Sequence, residues 1–342
     1  MPSVREIAEA AGVSKSTVSL VLNNKPGVSE SMRQVVLSAV KMLEEREALG
    51  GANDLAEDSL YRRNSSPTYS IVVLHPPTFH NSDVFSEVLQ GIQAGAERYN
   101  VQLRLAVNDR NPSANHVSYL YFTDPNLRPD GVLVFGAQQH EPLLEEIQRQ
   151  GIPCVVLGRE AKKYAASGIE RNEAEHAYHA SRYLLDLGHR TIAFVGGMEQ
   201  YDFVHNRLAG YRCALHESGV ELLPEWVQLG DGAEAVERLL AVDTPPTAIL
   251  FVNDTYAAQG LPMLATHGLQ IPHDISVISF DDTRFAREYD PPLTSISYYR
   301  YEEGQWAVKM LVDQITMPYI EKMQMVFKAQ FIERHSCAPP RQ

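Results

Sequence analysis

Between Ser14 and Asn23 the chain reads SKSTVSLVLN. With Val18, Val21 and Leu22 assigned to the inner side of a helix, Lys15, Ser16, Thr17, Ser19 and Asn23 point outward. Hydroxyl, amide and ammonium groups on such an edge exchange hydrogen bonds with base edges and phosphates, and a helix of that width fits the DNA major groove. Lys15 and Ser16 are the candidates for reading bases, with Thr17, Ser19 and Ser29 on phosphates. Val4, at the start of the preceding helix, is counted with this set. A second group of polar side chains follows apolar runs further along: Arg159, Asn253 and Asp281, with Arg207 opening another helix. Carboxylates accept from hydroxyls, Asn both donates and accepts, and Arg donates through a fixed fork. Phe79, Phe85 and Phe203 stand near these positions, where an aromatic ring can cover the apolar face of a sugar. The chemistry is that of binding a hydroxylated small molecule.

The elements that must hold the first group are short helices. Ser3 and Glu6 have the spacing of a capping box, and Ile7, Ala8 and Ala11 share one face. Gly12 ends that helix, Ser14 caps the next, and a third runs from about Glu30 to Glu47 with Val35, Val36, Val40 and Leu43 inside. The turn spacing is that of a helix-turn-helix. Residues 49–68 are then rich in Gly, Asn, Asp, Ser and Pro and read as a linker. From residue 69 the pattern alternates. Strand-type runs (YSIVVLHP, VQLRLAVN, DGVLVFG, PCVVLG, TIAFVGG, TAILFVN, DISVISFDD) are separated by amphipathic helices such as VFSEVLQGIQAGAERYN and VHNRLAGYRCALHESG. Near-continuous apolar strands between helices predict parallel sheets covered on both faces, in two lobes. Ligands of such sheets sit beyond the carboxyl ends of the strands, and two facing lobes put two such edges around one cleft.

These segments resemble the LacI/GalR family of bacterial transcription regulators. The run IAEAAGVSKSTVSLVLN and the Val28-Ser29 pair carry the resemblance in the first 48 residues. LDLGHRTIAFVGG, RLAGYRCAL, PTAILFVND, ISVISFDD, PPLTSI and RHSCAPP carry it through the rest. The resemblance implies a helix-turn-helix headpiece over 1–48 and a linker or hinge over 49–68. Over 69–342 it implies a two-lobed core like the periplasmic sugar-binding proteins. Cross-connection of the lobes implies an N-lobe of about 69–160 and 293–325 and a C-lobe of about 161–292 and 326–337. In the family, positions matching Arg207, Asn253 and Asp281 line the effector cleft, and a leucine of the hinge enters the minor groove, which points to Leu60 here. The family's hinge Pro is missing, and Asp54, Glu57 and Asp58 stand near the would-be phosphates. Leu20 replaces a frequent basic residue; it can touch a thymine methyl but cannot donate to guanine. Arg159 and Arg171 replace family acids, which suits an anionic ligand such as a sugar phosphate if both face the cleft. Family precedent also implies a homodimer on a near-palindromic operator, with contacts through the helices at Val84–Tyr99 and Asp254–His267.

Bulk properties fit this reading. A hydrophobic fraction of 44% supports real cores. The net charge of −13 lies in the body, since residues 1–46 carry six basic and five acidic side chains. Repulsion from the body is screened within about 8 Å at physiological salt. The three cysteines form no CxxC pair, which fits a reducing compartment, so a cytoplasmic location is expected. No apolar run has the length of a membrane span, and no secretory signal is read. There is no GxSxG elbow, P-loop lysine or GxGxxG, so neither an enzyme nor a cofactor is expected. His176 and His179 beside Glu173 and Glu175 read as a solvated helix face rather than a metal site. Asp254 and Asp282 also follow strands and are candidates for the cleft, and equally for capping the helices that follow them. The alternative function is a soluble small-molecule-binding protein with a degenerate DNA-binding headpiece, favoured by the acidic linker and Leu20.

Overall fold

The computed structural model describes residues 7–8, 13–22, 25, 28–29, 32–33, 36–37, 40, 69–76, 83–107, 121–122, 124–136, 142–158, 166–198, 201–319 and 321–341. Val4, Asn23, Leu60, Phe79, Arg159 and the 49–68 linker lie outside the described residues. The chain divides into two compact units, Met1–Ser66 and Pro67–Gln342.

In the first unit, α1 spans Lys15–Leu22. Ser14 Oγ accepts the Thr17 N–H at 3.2 Å, taking up one of the donors that a helix start leaves unpaired. Val18 and Val21 are buried with Ile7, Ala8, Val36 and Val40, while Val13 and Val28 pack on their edge. Leu22, expected inside with the valines, remains 37% exposed because it lies at the helix end beside this small cluster rather than under it. Arg33 closes the other end, donating to the carbonyls of Val21 (3.4 Å) and Lys25 (3.1 Å).

The second unit holds two six-stranded sheets. Its elements are β1 (Tyr69–His75), α2 (Asp83–Tyr99), β2 (Val101–Val107), β3 (Gly131–Phe135), α3 (Pro142–Arg149), β4 (Cys154–Leu157), β5 (Ser167–Glu170) and α4 (Glu173–Asp186). They continue as β6 (Ile192–Gly196), α5 (Asp202–Glu217), β7 (Val227–Leu229), α6 (Gly232–Leu240), β8 (Ala248–Phe251), α7 (Asp254–Thr266), β9 (Ser276–Phe280) and α8 (Arg284–Glu288). The last are β10 (Thr294–Ser297), α9 (Arg300–Thr316), β11 (Gln324–Val326) and β12 (Gln330–Ile332). The N-lobe sheet runs β11-β5-β4-β3-β1-β2 and the C-lobe sheet β12-β10-β9-β8-β6-β7. Pairing is parallel throughout except β10 with β12.

Strand alternation explains the layers. Ile71 and Val73 of β1 face α2 and α9, whereas Val72 and Leu74 face α3. In the C-lobe, Phe194 faces α4 and α5, and Ala193 and Val195 face α6 and α7. Helices α2 and α9 approach closely because Gly91 and Gly304 lie at their crossing: a Cβ on Gly91 would strike the Tyr301 carbonyl and one on Gly304 the Val88 carbonyl. Gly210 plays the same part between α5 and α4, against the Ala174 carbonyl.

The chain passes between lobes at Arg171–Asn172, at Tyr298–Tyr299 and at residues 327–329, as the strand pairings and helix packing require. Two expected boundaries are corrected. β5, assigned from sequence to the C-lobe, pairs with β4 in the N-lobe. β10, assigned to the returning N-lobe segment, pairs with β9 in the C-lobe, with Ser295 opposite Ser279. Both strands have four residues and carry Ser, Thr or Glu among their apolar positions, so neither gives a strong run. No described helix is long and apolar enough to cross a membrane.

Candidate functional site

The carboxyl ends of β3, β4, β6, β8 and β9 meet around a cavity of about 880 Å³. Phe203, Arg207, Asn253 and Asp281 line it. So do Phe135, Leu157, Arg171, Glu173, Asp254, Tyr256 and Thr283. Phe85 is 5% exposed and packs in the N-lobe core against Phe135 (5.6 Å between rings) and His75 (4.7 Å). It backs the cavity wall rather than forming it, so the expected stacking role has no surface to act through.

Arg207 lies at the centre of a buried network. It projects from the first turns of α5, where Val204, Leu208 and Tyr211 fix that face in the core. Its Nε donates to Glu173 Oε2 at 2.6 Å, its Nη1 to the Val252 carbonyl and its Nη2 to the Tyr298 hydroxyl at 3.2 Å. Tyr298 in turn donates to Glu173 Oε2 at 2.6 Å. The guanidinium also covers the Phe280 ring at 4.3 Å and that of Phe203 at 5.4 Å. Burial works to raise the Glu173 pKa, but Arg207 leads the groups that hold it below the usual carboxylate range. With all three guanidinium nitrogens engaged, Arg207 has few donors left for an incoming anion.

Arg171 faces the same space, yet its fork is taken by Glu303 of α9, with Nε at 2.9 Å and Nη2 at 2.6 Å. The inference of an anionic ligand from Arg159 and Arg171 therefore loses the cation that is described. Arg300 binds Asp281 twice, at its carboxylate (2.8 Å) and at its carbonyl (2.7 Å). Asp281 needs that grip: its φ of 98° is a conformation L side chains adopt at a cost of about 1–3 kcal/mol. Arg300 sits on α9, which packs on the N-lobe, and Asp281 follows β9 of the C-lobe, so the Arg300–Asp281 bonds also join the lobes.

Neither Asp254 nor Asp282 caps the helix after it. Asn253, not Asp254, caps α7, its side chain accepting the Tyr256 N–H at 3.2 Å. Asp254 instead reaches across to Thr283, with Oδ2 accepting from both its N–H (2.7 Å) and its hydroxyl (2.8 Å). Asp282 does not cap α8; it pairs with Arg334 at 2.7 Å. The two aspartates follow strands whose next helices begin one residue away from where the sequence pattern suggests. Burial, then the neighbouring Asp281, push the Asp254 pKa up to about 6 against the Ser279 and Thr283 contacts.

Sequence reasoning did not assign Glu173, Tyr298, Arg300 or Glu303 to this site. A signal existed for the last two: in α9 they share the face of Ala307 and Leu311, and charged residues on an apolar face need partners. Among the described residues no group of three side chains suits a metal, and the His176 ring accepts the Ala329 N–H at 3.2 Å.

In the first unit, Ser14, Lys15, Ser16 and Ser19 are exposed and Thr17 and Leu20 half-buried, in and just before α1. The Ser14 hydroxyl contacts those of Ser16 (2.7 Å) and Thr17 (2.8 Å), and Ser29 accepts the Met32 N–H at 3.3 Å.

Comparison with known proteins agrees with this architecture. Residues 3–44 match the family described as bacterial regulatory proteins, lacI family, and residues 181–337 the periplasmic binding protein-like domain. The chain is 30% identical over 342 residues to the HTH-type transcriptional repressor PurR of Vibrio campbellii, with 98% of each chain covered. It is 28% identical over 344 residues to PurR of Pasteurella multocida, again with 98% of each covered. Among solved structures, a LacI family regulator from Enterococcus faecium with bound ribose is 26% identical with a TM-score of 0.68, over 80% of this chain and 100% of that one. A complex of the transcriptional regulator CelR with cellobiose superimposes with a TM-score of 0.73 at 24% identity, over 98% and 100%, a likeness of fold. The chain belongs to the lacI family of bacterial regulatory proteins: it is a DNA-binding transcription regulator with an effector-binding core, and not an enzyme.

Proposed function

We propose that this regulator is a repressor whose operator affinity is set by a small, hydroxyl-rich effector held between the two core sheets. The cavity carries the reading, because Arg207, Asn253 and Asp281 line one cleft at the ends of two sheets. The cellobiose and ribose of the two related structures are both polyols, which favours a carbohydrate-like effector here as well. In this reading Phe203, Arg207, Asn253 and Asp281 contact the effector. The chain works as a cytoplasmic homodimer, with residues 1–48 as headpiece and 69–342 as core. Two headpieces acting together on half-sites about one helical turn apart compensate for the weak charge of each. An effector that fits one lobe arrangement better than another shifts the population, and the three chain crossings are where such a shift would bend.

On the DNA, Lys15 and Ser16 read bases, Thr17, Ser19 and Ser29 hold phosphates, and Leu20 meets a thymine methyl. The test is fluorescence anisotropy on duplexes selected in vitro, at low salt, with and without metabolites. Lys15→Ala is expected to change the preferred sequence, with about 1–3 kcal/mol of discrimination lost at one base pair. Ser29→Ala is expected to weaken all duplexes alike. An effector is expected to alter affinity by about 5–150-fold. A protein that binds no selected duplex under these conditions overturns the reading.

A further inference from the structure

The guanidiniums of the cavity wall are already spoken for, and so are the carboxylates of Glu173 and Asp281, but Asp254 is not matched by a cation. Among the described lining residues five are acidic and two are arginines. Arg171 is held by Glu303 and Arg207 by Glu173, each at 2.6 Å. Asp254 has no such counterion. It is only 3% exposed, Thr283 occupies its Oδ2, the Ser279 hydroxyl is the other polar group against it, and its Oδ1 is buried without a well-formed hydrogen bond among the described residues. An orphaned carboxylate oxygen beside a second carboxylate, Asp281, is costly unless a cation or a strong donor arrives. Its depressed acidity, with a pKa of about 6, has the same origin.

Resting on the effector reading above, we propose that the effector is an amine-bearing polyol, such as an amino sugar, and that Asp254 is the residue that selects it. The ammonium donates to Asp254 Oδ1 and brings the missing positive charge. The hydroxyls are left to Asn253 and Asp281, and the rings of Phe203 and Tyr256 on the same wall cover the apolar faces. An anionic relative meets a surplus of carboxylates and arginines whose donors are already occupied.

The test uses the full-length protein and probes matched in scaffold: glucose, glucosamine and glucose 6-phosphate, and galactose, galactosamine and galactose 6-phosphate. Thermal shift ranks the probes and calorimetry measures the best. An amine-bearing probe is expected to raise Tm most. Asp254→Asn, which keeps the Thr283 bonds, is expected to weaken that probe about tenfold or more, and its neutral counterpart by less. The proposal is overturned if a neutral or phosphorylated probe binds as tightly, if no amine-bearing probe shifts Tm, or if Asp254→Asn weakens amine and neutral probes equally. Operator binding in the same samples separates the two readings. If a neutral or anionic probe alters operator affinity, the effector-controlled repressor stands and the amine assignment falls. If operator affinity responds to no metabolite of any charge, the regulatory reading itself falls.

Discussion

The two lobes of the core share a plan and divide the work unequally. Each is a parallel sheet between helices, and each brings one helix pair together over a glycine, Gly91 with Gly304 in one and Gly210 in the other. At the cavity the likeness ends. The N-lobe strands contribute Phe135 and Leu157, while Arg207, Asn253, Asp254 and Asp281 come from C-lobe elements. One lobe is a mainly apolar cover, with Asp83 and the Glu303-paired Arg171 as its charged members, and the other holds most of the hydrogen-bonding groups. Such a division lets recognition be built on one rigid body, while closure of the second excludes water and strengthens every polar contact beneath it.

The harshest way to break this asymmetry is Arg207→Met. Glu173 would keep only the Tyr298 hydroxyl in a buried setting, and leaving one partner of a buried pair alone costs about 3–5 kcal/mol. Urea unfolding reads the loss, and effector response should vanish with it. Next come Gly91→Ala and Gly210→Ala, where the added methyl meets backbone carbonyl in both lobes. Each should cost about 1–3 kcal/mol by forcing a helix pair apart. The lobes are alike in this respect, so the two variants should match in thermal unfolding. A large gap between them would show that one helix pair yields more readily.

How much of this could be read from the chain depends on whether a residue's role is local or long-range. The apolar runs of β1, β3, β6, β8 and β9 announce themselves because strands buried on both faces have few polar positions. Asn253 and Asp281 are legible because the ends of such strands are where clefts form, whereas Arg207, inside a helix, comes only from the family resemblance. Glu303 was not, since its partner Arg171 lies 132 residues away and nothing in its own helix names that partner. The strands β5 and β10 were placed in the wrong lobe for a related reason: four residues with polar members cannot declare which sheet completes them. Asn253 was identified for the cleft and also proved to be a helix cap, two roles that one side chain can hold through different lone pairs.

A milder probe of the polar lobe is Asp254→Asn. Its carboxyl has a folded pKa of about 6 against an ordinary 3.8, so between those values the native state binds more protons than the unfolded one. The stability associated with the protonated form is full below about pH 4 and is lost as pH rises through about 6. The variant lacks that loss and should be the more stable protein at pH 7, by about 1–3 kcal/mol, with the gap shrinking in unfolding curves taken near pH 4. A gap that does not narrow in acid would mean the carboxyl is not strained by burial.

The gentlest change belongs to the apolar lobe. Phe135 is 3% exposed, with Phe85 behind it and the cavity in front. Phe135→Leu keeps an apolar surface of similar size and should cost less than about 1.5 kcal/mol of stability. If the N-lobe acts chiefly as a cover, effector affinity in calorimetry should fall by less than about tenfold, a loss of under about 1.4 kcal/mol. Removing an aromatic that specifically recognised the ligand would cost more than its lost area, because ring stacking adds about 0.5–1.5 kcal/mol beyond burial. A loss comparable to that of Asp254→Asn would therefore move part of the recognition into the N-lobe and end the division between cover and reader.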